Sequence, residues 1–327
     1  MSSMAWWVIG KKDLRDMRRS GLFVALLAGL CALILASIVV SAVAFHAQVA
    51  DYQHYLDALK QAGSTATPAN APEFYPLQQL IGGIEYLEII GALLAIVIGY
   101  GIITKEKSRG TLLLLLSRPL RSKDIAIGKL TALAITWAVF SCCIGFGMVA
   151  ILLLIGGAHI SGIDYVRIIE TAALAAVYLF FWSAVGLGLA AWAKQPSTAL
   201  IVGLMLWLVV VLVLPQIGDT MDPDNQVPGG LFNSLQIARP QQHDIMAHFS
   251  GYENGRNYVE SASVEKHFER STFGFTGIKP IYNQQSLGYV FAHLWGNIVT
   301  VCAWALGGTL WAIWQCNKKR LLRKESI

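Results

Sequence analysis

An all-α, polytopic membrane fold with about six transmembrane helices is what this 327-residue sequence predicts. Three observations carry that prediction. Mean hydropathy is +0.54. Charged residues make up only 14% of the chain against 55% hydrophobic ones, where a soluble globular chain carries about 25% charged residues. Finally, the apolar residues gather into six long stretches, and a membrane-spanning helix needs about 20 of them in succession. The stretches are Gly21–Phe45, Gly83–Ile103, Leu130–Gly156, Ile168–Ala193, Thr198–Pro215 and Leu287–Trp314.

The chain opens on residues 1–20, which hold five Lys or Arg. Trp7, Leu14, Met17 and Gly21 fall near one face of a helix. This predicts an amphipathic helix lying in the membrane interface with its basic residues turned to water. The apolar run that follows is too long for the h-region of a cleaved signal peptide, so it is expected to stay as the first span.

Residues 21–215 hold spans one to five, an outer loop at 46–82 and a cytoplasmic hairpin at 104–129. Within the outer loop, Ala50–Gln61 reads as helix and Gly63–Pro72 as a turn region. Residues 216–286 form a second outer connection, too long for an ordinary loop, and are expected to be a small extracytoplasmic subdomain. Residues 287–327 supply span six and a basic tail. With both termini in the cytoplasm, 18 of the 25 Lys and Arg residues fall on that side, in short segments. The positive-inside bias therefore orients the chain, in a bacterial or archaeal plasma or inner membrane.

The net charge of +5 sits in short clusters beside apolar runs, which argues against nucleic acid as a partner. The five cysteines lie in or at the end of apolar runs, without metal-site or redox spacing, and read as small buried hydrophobes. The seven histidines fall on the outer side without a ligand-like pair and read as solvated or capping. Most tryptophans read as interfacial belts, and Gly186, Gly188, Gly307 and Gly308 as sites of close helix contact. Glu85 and Glu88, about one helical turn apart, are candidates for an outer gate or substrate site, or simply an interfacial pair.

The hairpin Thr104–Lys129 is the most informative segment. A charged turn leads into five leucines, Leu112 to Leu116, then Ser117-Arg118-Pro119. A proline disfavours helix at the residue before it, so the leucine helix should stop there. It is too short to cross a membrane, and its apolar stripe needs a cover: the interface, the chain's own helices, or a partner's groove. No G-x4-G-K-[ST] phosphate-binding loop occurs, so the chain does not read as its own ATPase.

The pattern Glu106-x3-Gly110-Thr111-x4-Leu116-Ser117-x-Pro119-x-Arg121, followed by Gly128-Lys129, resembles the signature of type-2 ABC exporter permeases. The subgroup it most resembles is that of the nitrous-oxide-reductase-maturation permease. The layout of basic start, outer loop, hairpin and six spans is similar over the whole chain. The resemblance implies a transmembrane permease subunit, itself no enzyme. It also implies a second permease copy and two ABC ATPase subunits, which hold ATP and Mg while this chain binds no cofactor. Membrane lipid and an extracytoplasmic protein are further expected partners. By the same resemblance Glu106, Gly110, Thr111, Leu114, Ser117, Pro119 and Arg121 form the ATPase contact. The residues also admit a gradient-driven transporter or channel, although the spans hold few central charges. They admit as well a membrane scaffold or sensor that binds a partner through residues 216–286.

Overall fold

The computed structural model describes residues 4–62, 74–118, 120–121, 123–155, 160–222, 231–235, 237, 239–283, 285–318 and 321. Pro119, His159, the turn region at 63–72, the prolines and glycines at 223–230 and most of the basic tail lie outside these. The described residues are helical with short connections. Six helices are long and apolar enough to cross a membrane, and the chain is a multi-pass membrane protein.

α1 (Ala5–Arg19) precedes the first span. It buries Ile9, Gly10, Asp13 and Met17 and packs on a span of the chain itself, while Trp7 remains exposed. The expected apolar face is thus rotated. A carboxylate and a glycine, invisible to a hydrophobicity pattern, face the protein.

The spans are α2 (Gly21–Gln61), α3 (Pro76–Ser108), α5 (Asp124–Leu154), α6 (Gly162–Trp192), α7 (Pro196–Met221) and α11 (Leu287–Gln315). Between α3 and α5 lies the short α4 (Thr111–Leu116). α2 continues without a break to Gln61, because nothing between Phe45 and Gln61 interrupts a helix. The first loop, expected to start at residue 46, therefore starts at Ala62, and the helix expected at Ala50–Gln61 is the end of α2.

α6 is the axis of the bundle. It packs against α3, α5, α7 and α11, and its side chains from Tyr178 to Ala191 are almost all buried. Apolar helices gain little from leaving lipid, so contact in a membrane depends on close packing. A side chain at Gly99 or Gly186 would strike the backbone of the facing helix, at Ser183 or Ile96. α3 and α6 therefore cross at backbone distance. α2, α7 and α11 leave most of their surface exposed, and so do Cys142 and Cys143 on α5, which are not buried in the protein.

Residues 216–286 hold a single turn at Leu231–Ser234, α8 (Arg239–His248), α9 (Ser250–Ser261) and α10 (Val264–Phe275). α10 enters the bundle and packs on α6 and α11. Phe268 stacks on Tyr178, near the middle of α6, with ring centroids 4.4 Å apart. Fully buried Arg167 ties this region down, donating to the carbonyls of Phe275 at 3.1 Å and Gln285 at 2.6 Å.

Candidate functional site

Two sites emerge, at opposite ends of the bundle. The first is the hairpin between α3 and α5. Gly110 opens it with φ of 67°, a left-handed conformation that costs glycine nothing and other residues strain. This reverses the chain and starts α4. The leucine run then divides by helical period: Leu112 and Leu116 are each 1% exposed, whereas Leu113 and Leu114 are 50% and 69% exposed. Half of the stripe anchors the hairpin to the bundle and half projects from it. Thr111 Oγ1 donates to the Glu106 carbonyl at 3.3 Å, and Ser117 Oγ donates to the Leu114 carbonyl at 2.9 Å, closing both ends of α4. The Arg121 amide donates to Asp124 Oδ2 at 3.1 Å in the first turn of α5. Gly110, Thr111, Leu114, Ser117 and Arg121 all lie on the exposed side.

Glu106 does not. It is buried and reaches Lys12 at 2.6 Å through one oxygen and Lys129 at 2.7 Å through the other. Lys129, with no exposed side-chain surface, also pairs with Asp13 at 3.2 Å. Two ammonium and two carboxylate groups thus form a cluster joining α1, α3 and α5. Burial pushes the Asp13 carboxyl up, against the pull of Lys129. Burial opposes the charge on Lys12, but the Glu106 carboxylate outweighs it and raises the lysine. Gly128 makes the cluster possible, because a Cβ there would lie 2.6 Å from the Trp6 carbonyl oxygen. The Gly128-Lys129 pair therefore seats α1 on α5 and then neutralises the carboxylates brought in. Lys318 Nζ donates to the Arg118 carbonyl at 2.7 Å, which places the C-terminal segment at this same face.

The second site is a cavity of about 620 Å³ near the far end, between α3, α7 and α10. Two π turns build its walls. In α3 the turn is Leu87–Gly91 and in α7 it is Leu208–Val213. A π turn disrupts the regular i→i−4 ladder and is frequent at functional sites, and carbonyls it frees need partners in an apolar medium. Tyr178 Oη donates to the Glu88 carbonyl at 2.9 Å and Trp207 Nε1 to the Ile89 carbonyl at 3.0 Å. Ser263 Oγ, at the start of α10, donates to the Val210 carbonyl at 2.6 Å. Trp207 thus serves the cavity wall and does not simply face lipid.

Glu85 and Glu88 both line this cavity, Glu85 exposed and Glu88 buried. They are joined there by Asp219, Glu265, Lys266 and Glu269. Lys266 reaches Asp219 at 3.0 Å and Glu269 at 2.5 Å. Burial pushes Glu265 up to about 8, with neighbouring Glu269 adding to the effect and Lys266 opposing it. The four α7 and α10 residues escaped the sequence reading because they lie far along the chain from Glu85. Their one signal was Glu265-Lys266 and Glu269 at helical spacing inside a segment that also carries Phe268, Phe273 and Phe275.

Of the histidines, His267 is buried and bridges Asn297 and the Ser261 carbonyl, and so is not solvated. His248 and His293 bond to carbonyls four residues back. Among the described residues no cluster could hold a metal ion.

A family model described as ABC-2 family transporter protein matches residues 7–321. A search of the curated proteins finds no significant match.

Proposed function

The chain belongs to the ABC-2 transporter family, as the membrane permease whose ATPase sits on a separate chain, and we propose that it drives export by docking that ATPase on the α4 hairpin. The carrying observation is the split leucine run. Leu113 and Leu114 project from a helix whose other face is locked into the bundle. An exposed apolar pair on a braced element suits a partner's groove better than it suits water.

In this reading Gly110, Thr111, Leu114, Ser117, Pro119 and Arg121 meet the ATPase. Glu106 serves behind them, holding the hairpin to α1 and α5 through Lys12 and Lys129. A closing ATPase pair would push α4, and the rigid brace would pass that push to α3 and α5 together. Two copies of the chain and two ATPase subunits complete the assembly, with both termini and the hairpin cytoplasmic. The positive-inside bias supports that orientation. The layout further suggests the nitrous-oxide-reductase-maturation group. The cavity at Glu85 and Glu88 would then open on the outer side, as gate or substrate site. A role for 216–286 as a free-standing binding module is less favoured, because α10 is part of the bundle.

Affinity capture of the tagged permease from native membranes tests the reading. It should bring down an ABC ATPase, and Leu114→Asp with Arg121→Glu should abolish that capture while the permease still folds. Intact capture and transport in the double variant would overturn the docking site.

A further inference from the structure

The far cavity carries charge that ATPase docking does not use. Five carboxylates line it, and Lys266 is the one basic side chain among its lining residues. That lysine is shared between Asp219 and Glu269. Glu88 is 5% exposed, and its Oε2 has no hydrogen-bond partner among the described residues. A buried carboxylate oxygen without a donor is costly. A donor or a positive charge relieves it, and five carboxylates against one lysine make the cavity favour positive charge. The remaining wall is apolar, formed by Ile89, Val211, Leu212 and Phe273. An inorganic ion would leave that wall uncovered, and no described cluster has the ligands for a metal. An anion would be repelled. The volume is within the range of about 300–1,000 Å³ typical of small-molecule pockets.

We propose that this cavity binds a monovalent organic cation with an apolar body, its charge beside Glu88 and Glu265 and its body against the π-turn wall. The proposal rests on the chain being a transporter permease but not on where the ATPase docks. Protons compete for the same carboxylates. The groups facing Glu265 are Glu85 and Glu88 from α3, Asp219 from α7, and Lys266 and Glu269 from α10; the Tyr178 hydroxyl from α6 is committed to a backbone carbonyl. Glu265, pushed up to about 8 by burial, then Glu269, holds its proton at mildly acidic pH. Cation binding therefore strengthens as pH rises.

The test is equilibrium dialysis of the full chain in lipid nanodiscs, with empty nanodiscs subtracted. Tetraphenylphosphonium is the probe, and tetraphenylborate is its counterpart of like shape and opposite charge. Saturable binding of the cation alone is expected, weakening by about tenfold or more from pH 9 to pH 6 as the competing carboxyl takes up its proton. Glu88→Gln with Glu265→Gln should weaken it by about tenfold, the loss of one good ionic contact. Glu85→Gln, at the exposed mouth and harmless to folding, should weaken it by roughly two- to threefold. Equal retention of both ions, no saturable binding of the cation, unchanged affinity in the variants, or tightening on acidification would each overturn the proposal. None of these readings involves the ATPase, so failure here and failure of the docking site are separable.

Discussion

Lys129 Nζ lies 2.7 Å from Glu106 Oε2, and this ion pair joins the two ends of the hairpin, one on α3 and one on α5. Both residues are buried, so the pair is intolerant of losing one member. Breaking a buried pair costs about 3–5 kcal/mol, and without Lys129 two carboxylates, Glu106 and Asp13, would share the single ammonium of Lys12. Lys129→Met should therefore destabilise the purified permease by about that amount in thermal unfolding. Adding Glu106→Gln and Asp13→Asn should recover most of the loss, since Lys12 is half-exposed and can turn to solvent. A triple variant no more stable than Lys129→Met would show that the cluster does not act as a charge-balanced unit.

The leucine run offers a contrast within five residues. Leu112→Ala should cost about 2–5 kcal/mol, as a buried leucine truncation does. Leu114→Ala should stay within about 0.5 kcal/mol, as an exposed substitution does. Association with the ATPase, read by titration of labelled permease, should respond in the opposite order, with the stably folded Leu114→Ala the weaker binder.

Gly128 is where α1 meets α5. Gly128→Val should destabilise by about 1–3 kcal/mol through overpacking and loosen α1 from the bundle. Limited trypsin digestion would read this directly. Cleavage at Arg15, Arg18 or Arg19 should speed up in the variant, and an unchanged rate would mean that the crossing does not hold α1.

The π turn in α3 leans on two side chains from other spans. Tyr178→Phe leaves the Glu88 carbonyl buried without its donor, a cost of about 1–3 kcal/mol. Amide exchange over Leu87–Gly91 should accelerate. Trp207→Phe should act on the same segment through Ile89, and the two effects should not add independently, because they share one turn.

Glu265 gives a pH dependence with a definite sign. Burial and then Glu269 raise it from the ordinary 4.5 to about 8. Between those values the folded chain holds a proton that the unfolded chain releases, so folding is favoured at low pH. The contribution is complete below about 4.5 and is lost as pH rises through about 8. The thermal midpoint should fall from pH 5 to pH 9 through this group, and Glu265→Gln should flatten that part of the slope. A midpoint with the same slope in both proteins would place the titration elsewhere.

Much of the fold was legible because membrane insertion is governed by local composition. Each of the six spans is a run of apolar residues that needs no partner to be recognised, and each lies where its hydropathy put it. The hairpin was legible too, since Gly110 and the leucines are neighbours in sequence. What escaped notice depended on residues distant along the chain. Asp13 stands among basic residues along the chain, and its partner Lys129 is 116 residues away. Glu265 and Glu269 lie in a long connection along the chain and reach the cavity only because α10 enters the bundle. The π turns have no sequence signature of their own, because a one-residue excess in a helix shows only when another helix satisfies its freed carbonyls.

By itself the sequence determined that this chain is an all-helical membrane protein with a short apolar hairpin and no phosphate-binding loop of its own. Those properties follow from the free energy of placing each segment in water or hydrocarbon, which is a sum over local residues. Only the tertiary structure decided that Glu106 braces the hairpin from behind, that Leu113 and Leu114 project from it, and that Glu85 and Glu88 share one cavity with α7 and α10. Those outcomes depend on which charges and backbone groups can find partners once the helices pack. In a medium of low dielectric an unpartnered group costs so much that the partners, not the local sequence, fix where it goes.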